Sequence, residues 1–128
     1  MNKNSPSDIV ESLVGKAKEA QNIFEKYNQK QVDEVVTAVA WALCKPSTNE
    51  LISNLAVNST GLGDVEDKIL KNRRKTLGLL RDWKGVKTVG VINEFKEKGI
   101  IEIAKPVGVV VAFTQSTNPA ATPVNIVI

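Results

Sequence analysis

The chain has 128 residues, 42% of them hydrophobic and 24% charged, with a formal net charge of +3. That is one domain's length with enough apolar content for a core, so a packed fold rather than disorder is expected. The charge favours solubility and anionic ligands without arguing for nucleic acid.

A single cysteine, Cys44, and no histidine exclude an internal disulfide, a Cys/His zinc site and a Ser-His-Asp triad. They point to an intracellular, reducing setting, and the expected location is the cytoplasm. The N-terminal run MNKNSPSDIV has no apolar signal segment, and no window approaches the ~18 apolar residues of a membrane span.

Residues 1–4 are expected to fray. Ser5-Pro6-Ser7-Asp8 reads as a helix start, and Ile9, Leu13, Ala17, Ala20, Ile23 and Phe24 follow on one helical face. Tyr27-Asn28 ends that helix. A second helix is predicted from Gln31 to about Leu43, apolar over more than one stripe through Val32, Val35, Val36, Val39, Trp41 and Leu43, and therefore well buried. Pro46 stops it.

Ser47-Thr48-Asn49-Glu50 reads as a capping box opening a third helix with Leu51, Ile52, Leu55 and Ala56 at helical spacing, broken by Gly61-Leu62-Gly63. Asp64 caps a fourth helix running to about Trp83. Its acids, Glu66 and Asp67, lie early and its bases, Arg73 to Lys75, lie later, as the macrodipole prefers.

The period then changes. Lys87–Ile92 and Ile100–Ala104 read as two strands of a hairpin across the polar segment 93–99. Val107–Phe113 is almost wholly apolar and suits a strand buried on both faces of a parallel sheet. Thr114–Asn118 is a turn. Pro119 suits the start of a last helix, with Asn118 as its cap. A strand–loop–helix lacks its partner strand, so the sheet is expected to be incomplete.

The loop Thr114-Gln115-Ser116-Thr117-Asn118 is the first candidate site. In open α/β sheets ligands bind beyond the carboxyl ends of strands, where a helix N-terminus presents free amides. A polar loop of purely structural role fits the same residues, since no glycine-rich fingerprint is present.

Two stretches, Lys105-Pro106-Val107-Gly108-Val109-Val110 and Thr114-Gln115-Ser116-Thr117-Asn118-Pro119-Ala120-Ala121-Thr122-Pro123-Val124-Asn125, resemble the start of the nucleotide-binding domain of coenzyme-A-acylating aldehyde dehydrogenases. Non-acylating aldehyde dehydrogenases carry Pro-Trp-Asn-Phe-Pro in this loop, whereas the acylating branch has Ser-Thr-Asn-Pro. The upstream runs Gly61–Lys68 and Lys71–Gly78, with Ala40-Trp41-Ala42 and Lys45-Pro46 before them, also resemble this family. The resemblance covers roughly residues 8–128 and implies an N-terminal part only.

It implies an α/β fold: N-terminal helices, a β-hairpin and the first strand–loop–helix of an aldehyde-dehydrogenase-type Rossmann-like domain. Residues 1–128 would be the N-terminal part of the nucleotide-binding domain, with 8–83 mainly helical, 87–104 a hairpin that serves oligomerisation, and 107–128 the first strand and helix of the sheet. The activity implied is oxidation of a small aldehyde, sulfoacetaldehyde or one like it, with NAD or NADP and coenzyme A to an acyl-CoA, in a homo-oligomer acting on neither membrane nor nucleic acid. Asn118 would donate to the oxyanion, and Thr114, Gln115, Ser116 and Thr117 would border the nicotinamide ribose and pyrophosphate. Gln115 departs from the Pro expected there. The family's nucleophilic cysteine belongs to a later segment, so the chain alone is expected to be inactive.

Other features have bland readings beside sharp ones. Cys44 ends an apolar helix with no histidine to activate it, and reads as a structural thiol rather than a nucleophile. The bases Lys68, Lys71, Arg73, Arg74, Lys75, Arg81, Lys84 and Lys87 read as a solvated helix face balanced by Asp64, Glu66, Asp67 and Asp82, or as a site for coenzyme A phosphate. Two rival readings remain open at this stage. One is a non-catalytic helical binding or assembly module, which predicts a finished fold. The other is a basic nucleic-acid-binding domain, which lacks a stacking platform beyond Trp83. The family reading instead predicts exposed apolar residues around Val109, Val111 and Val127.

Overall fold

A computed structural model describes residues 5–128, and the fraying expected of residues 1–4 lies outside that range. The described residues form helices α1 (Pro6–Phe24), α2 (Gln29–Cys44), α3 (Pro46–Thr60), α4 (Val65–Asp82) and α5 (Ala121–Val127), and strands β1 (Gly90–Phe95) and β2 (Ile100–Ala104). Helix predominates, and the α/β class fits at that coarse level. The chain divides into two compact units. The first holds the described residues through Gln31 with Lys87–Val111, and the second Val32–Val86 with Ala112–Ile128.

In the first unit, α1 starts at the predicted place. The Ser5 hydroxyl accepts from the Asp8 amide at 3.2 Å while the Ser5 amide donates to the Asp8 carboxylate at 2.8 Å. Its apolar stripe, Ile9, Leu13 and Ile23, stays exposed.

The β1–β2 pair is antiparallel, with Phe95 opposite Ile100 and a bulge that leaves Ile92 out of register between Val91 and Asn93. Residues 96–98 form a 3₁₀ turn, and Gly99, at φ 62°, turns the chain back in a left-handed conformation that a side chain disfavours.

β1 begins three residues later than predicted. The Gln29 side-chain oxygen takes the Thr88 and Val89 amides at 2.7 and 3.1 Å, so those residues are bonded by a side chain instead of a strand ladder. The predicted strand at Val107–Phe113 is absent: residues 105–115 carry no strand. Strand geometry requires a hydrogen-bonded neighbour, and among the described residues β1 and β2 pair only with each other. Val107 and Phe113 are accordingly 91% and 94% exposed, and Val109, Val111 and Val127 are exposed as expected.

In the second unit, α3 packs on α4 and α4 on α5. α2 begins in the first unit, where reciprocal bonds between Asn28 and Gln31 set its first turn, two residues earlier than predicted. α2 is not the well-buried helix expected: only Ala40 and Leu43 are buried, and Trp41 is 60% exposed.

The predicted capping box at Ser47–Glu50 does not form. Pro46 occupies the first helical turn, which moves the cap position to Lys45, a residue that makes no side-chain cap bond. Gly61, at φ 66°, closes α3 in the left-handed cap. Asp64 caps α4 as predicted, accepting from the Glu66 and Asp67 amides at 2.8 and 3.2 Å.

Candidate functional site

α3 and α4 meet through a polar seam. Asn49 and Ser53, four apart on α3, face Lys68, Asn72 and Thr76, each four apart on α4, and all five are buried. The Asn72 amide donates to the Asn49 side-chain oxygen at 2.9 Å and to Ser53 Oγ at 3.3 Å. Ser53 Oγ donates to that same Asn49 oxygen at 3.4 Å, and Asn49 Nδ2 donates to the Ile69 carbonyl at 3.0 Å. These groups satisfy one another, which a buried amide requires. Small side chains at i, i+4 spacing on both helices carried that signal in the sequence. Apolar periodicity alone does not register it.

The predicted loop lies against this seam. Thr114 to Thr117 are exposed, and Gln115 and Asn118 close a turn through the Asn118 amide and the Gln115 carbonyl at 3.1 Å. The Thr122 hydroxyl donates to the Gln115 side-chain oxygen at 3.3 Å, and the Thr122 amide to the Asn118 carbonyl at 3.4 Å. Lys71 Nζ, from α4, donates to the Thr117 carbonyl at 3.1 Å. Further along, Thr76 Oγ1 donates to Asn125 Oδ1 at 3.5 Å. Thus α4 holds the peptide immediately before Asn118.

Asn118 does not cap α5 through its side chain, contrary to expectation: α5 starts at Ala121 with Ala120 in the cap position and no side-chain cap bond. Instead, Asn118 Oδ1 is buried with no hydrogen-bond partner among the described residues. It borders a cavity of about 10 Å³, room for about one water, lined by Ser53, Lys68, Lys71, Asn72 and Asn118 among others.

The basic cluster does not form the uniform solvated face expected of it. Lys68 is 6% exposed, whereas Arg73, Arg74 and Lys75 lie in solvent and Arg81 pairs with its neighbour Asp82 at 2.9 Å. Burial, together with the charges of Lys68 and Lys75, pushes the Lys71 pKa down. Cys44 is half-buried. Burial raises its thiol pKa, partly opposed by the positive charge of Arg73, the reverse of what an activated nucleophile shows. Among the described residues no group of three or more His, Cys, Asp or Glu side chains is placed to hold a metal, and no helix is long and apolar enough to cross a membrane.

The segment therefore presents a polar turn, braced by a lysine and backed by a satisfied amide seam, with an asparagine at its end. A turn of that composition suits recognition of a polarised oxygen. The chain is 53% identical over 95% of its length to the acylating sulfoacetaldehyde dehydrogenase of Cupriavidus necator, and 44% identical over 83% to that of Bilophila wadsworthia. It is also 40% identical over 89% to the acetylating succinate-semialdehyde dehydrogenase of Clostridium kluyveri. By these matches the chain is similar in sequence to part of the acylating aldehyde dehydrogenases. It spans about a quarter of the length of those relatives, covering 25%, 23% and 25% of them. No protein-family model matches it.

Proposed function

We propose that this chain is the N-terminal portion of an NAD(P)-dependent, coenzyme-A-acylating aldehyde dehydrogenase that converts a small aldehyde, CoA and NAD(P)⁺ to acyl-CoA and NAD(P)H. Sulfoacetaldehyde is the substrate we favour, because the 53% identity to an acylating sulfoacetaldehyde dehydrogenase extends over 95% of the chain. That match is the observation that carries the reading. The nicotinamide, when bound, accepts the hydride of the oxidation.

The donor set of the loop suits such a cofactor: hydroxyls of Thr114, Ser116 and Thr117 and the amide of Gln115, all in exposed residues, can meet ribose and phosphate oxygens. Asn118 donates from its amide to the oxygen that becomes negative when the aldehyde carbon turns tetrahedral, a role worth about 3 kcal/mol for one such donor. Lys71 holds the peptide before it, so the donor is positioned before substrate arrives. The Gly90–Ala104 hairpin, with almost every residue exposed, serves a homo-oligomer contact, and the protein works in the cytoplasm without membrane or nucleic acid.

The test is kinetic. In the enzyme that carries this segment, Asn118→Ala lowers kcat with sulfoacetaldehyde and CoA by about 10²–10³-fold, while NAD(P) binding is retained. A variant with undiminished rate removes Asn118 from the chemistry. The 128-residue chain alone, which contains only the half-buried Cys44 as a thiol, produces no NAD(P)H from aldehyde and CoA. Turnover by the isolated chain would overturn the account.

A further inference from the structure

Two side chains next to the loop lack hydrogen-bond partners, and they are chemically complementary. Lys68 is 94% buried on the α4 side, since only 6% of it is exposed, and its ammonium makes no hydrogen bond or ion pair with any described residue. Asn118 Oδ1 is a buried acceptor without a donor. Both residues line the same cavity, and its volume of about 10 Å³ matches one water.

The remaining donors at that cavity are engaged. The Asn72 amide serves Asn49 and Ser53, the Ser53 hydroxyl serves Asn49, and Lys71 serves the Thr117 carbonyl. Lys68 is thus the lining donor with every proton uncommitted. A buried carbonyl oxygen is costly when unmatched, and a single water bridging it to the Lys68 ammonium relieves that cost. Gly63 lies beside this lysine: a β-carbon there would stand in ordinary contact, 3.5 Å from Lys68 Cε and 3.7 Å from Nζ.

We propose that Lys68 is a positioning residue for Asn118, its ammonium donating through one water to the Asn118 side-chain oxygen. The inference rests on the reading of Asn118 as the oxyanion donor. The oxygen and nitrogen of an asparagine amide are similar in shape, so the surrounding charges decide which way it faces. Two lysines, Lys68 and Lys71, border the cavity, and their field draws the oxygen inward and repels the NH₂ group. The NH₂ group is thereby turned away from the seam toward the loop's open side. Lys68 touches no reacting atom; it selects the amide orientation that leaves a donor available.

The experiment separates this claim from the catalytic one. In the isotope-labelled 128-residue chain, Asn118→Asp and Asn118→Ala each shift the Lys68 side-chain nitrogen resonance, and Lys68→Met shifts the Asn118 NH₂ pair. A double-mutant cycle on the unfolding equilibrium then shows Lys68→Met to be at least about fivefold more damaging in the Asn118→Asp background, where a carboxylate replaces the amide oxygen. Equal damage in both backgrounds, with unmoved resonances, overturns the proposal. Should Lys68→Met not fold, the two Asn118 variants still report on Lys68 in the native lysine background. In the whole enzyme, Lys68→Met lowers kcat about tenfold with nucleotide KM unchanged, and Lys68→Arg recovers most of it. If Asn118→Ala leaves the rate intact, the oxyanion reading fails while the resonance and cycle results still decide the Lys68–Asn118 bridge.

Discussion

The α3–α4 pair and the β1–β2 hairpin solve the problem of a small interior in opposite ways. α3 and α4 bury amides and hydroxyls, Asn49, Ser53, Asn72 and Thr76, and leave Leu51, Leu55, Leu70 and Leu77 in solvent. The hairpin buries nothing: Val91, Ile92, Ile101 and Ile103 are all exposed, and its order rests on the ladder, Gly99 and the Gln29 contact. Specificity in the helical pair comes from satisfied polar groups, which tolerate no loss. The hairpin's side chains make few demands, so they tolerate exchange.

That contrast is open to test. Asn72→Ala removes the donor to both Asn49 and Ser53 and is expected to destabilise the chain by about 1–3 kcal/mol, read as a drop in thermal midpoint. Ile101→Thr, on the exposed face of β2, is expected to stay within about 0.5 kcal/mol and to reduce hydrophobic-dye binding. Equal losses at the two positions would end the contrast. A smaller effect belongs to Asp64, whose carboxylate takes two free amides of α4: Asp64→Ala is expected to cost about 1 kcal/mol and to loosen amide exchange at Glu66 and Asp67 first.

On the hairpin side, Gln29→Ala leaves the Thr88 and Val89 amides without their acceptor. Global stability should fall by less than about 1 kcal/mol, since the bonds to Thr88 are exposed. Exchange of those two amides should rise well before that of the β1–β2 ladder. Protection that is unchanged at Thr88 would show that Gln29 does not anchor the approach to β1.

The parts of this fold that were legible in the sequence are those governed by local chemistry. Ser5 with Asp8 and Asp64 with Glu66 each signal a helix start within four residues, and Gly61 and Gly99 mark left-handed turns. The parts that were not legible depend on partners distant in sequence. Val107–Phe113 has strand composition, yet composition cannot supply the neighbour that a strand bonds to. The Asn49–Asn72 and Gln29–Val89 contacts join residues 23 and 60 positions apart, and no local pattern announces them. Lys68 sits in a run of charged residues that locally resembles a solvated helix face. Its burial follows from the α3 face it meets. The loop is legible from its place between an apolar run and a helix start, and family resemblance adds the roles of its residues, but its bracing by Lys71 exists only in three dimensions.

The smallest predicted effect distinguishes the two titrating groups nearest these features. Burial raises the folded-state pKa of Cys44 above its ordinary 9.0, so the native state holds the thiol proton more tightly than the unfolded chain. The stability this contributes is complete below 9.0 and is lost as pH climbs through the folded value, giving a falling slope. Lys71 is displaced the other way, below its ordinary 10.5, so the unfolded chain binds the extra proton and stability rises with pH in the window just under 10.5. Cys44→Ala should therefore flatten the decline and Lys71→Met the rise, in urea titrations compared at neutral and alkaline pH. Alkylation of Cys44 offers a direct reading. Its midpoint should lie above that of an unstructured peptide thiol, and a midpoint at or below the peptide value would mean that Arg73 outweighs burial and would return Cys44 to consideration as a nucleophile.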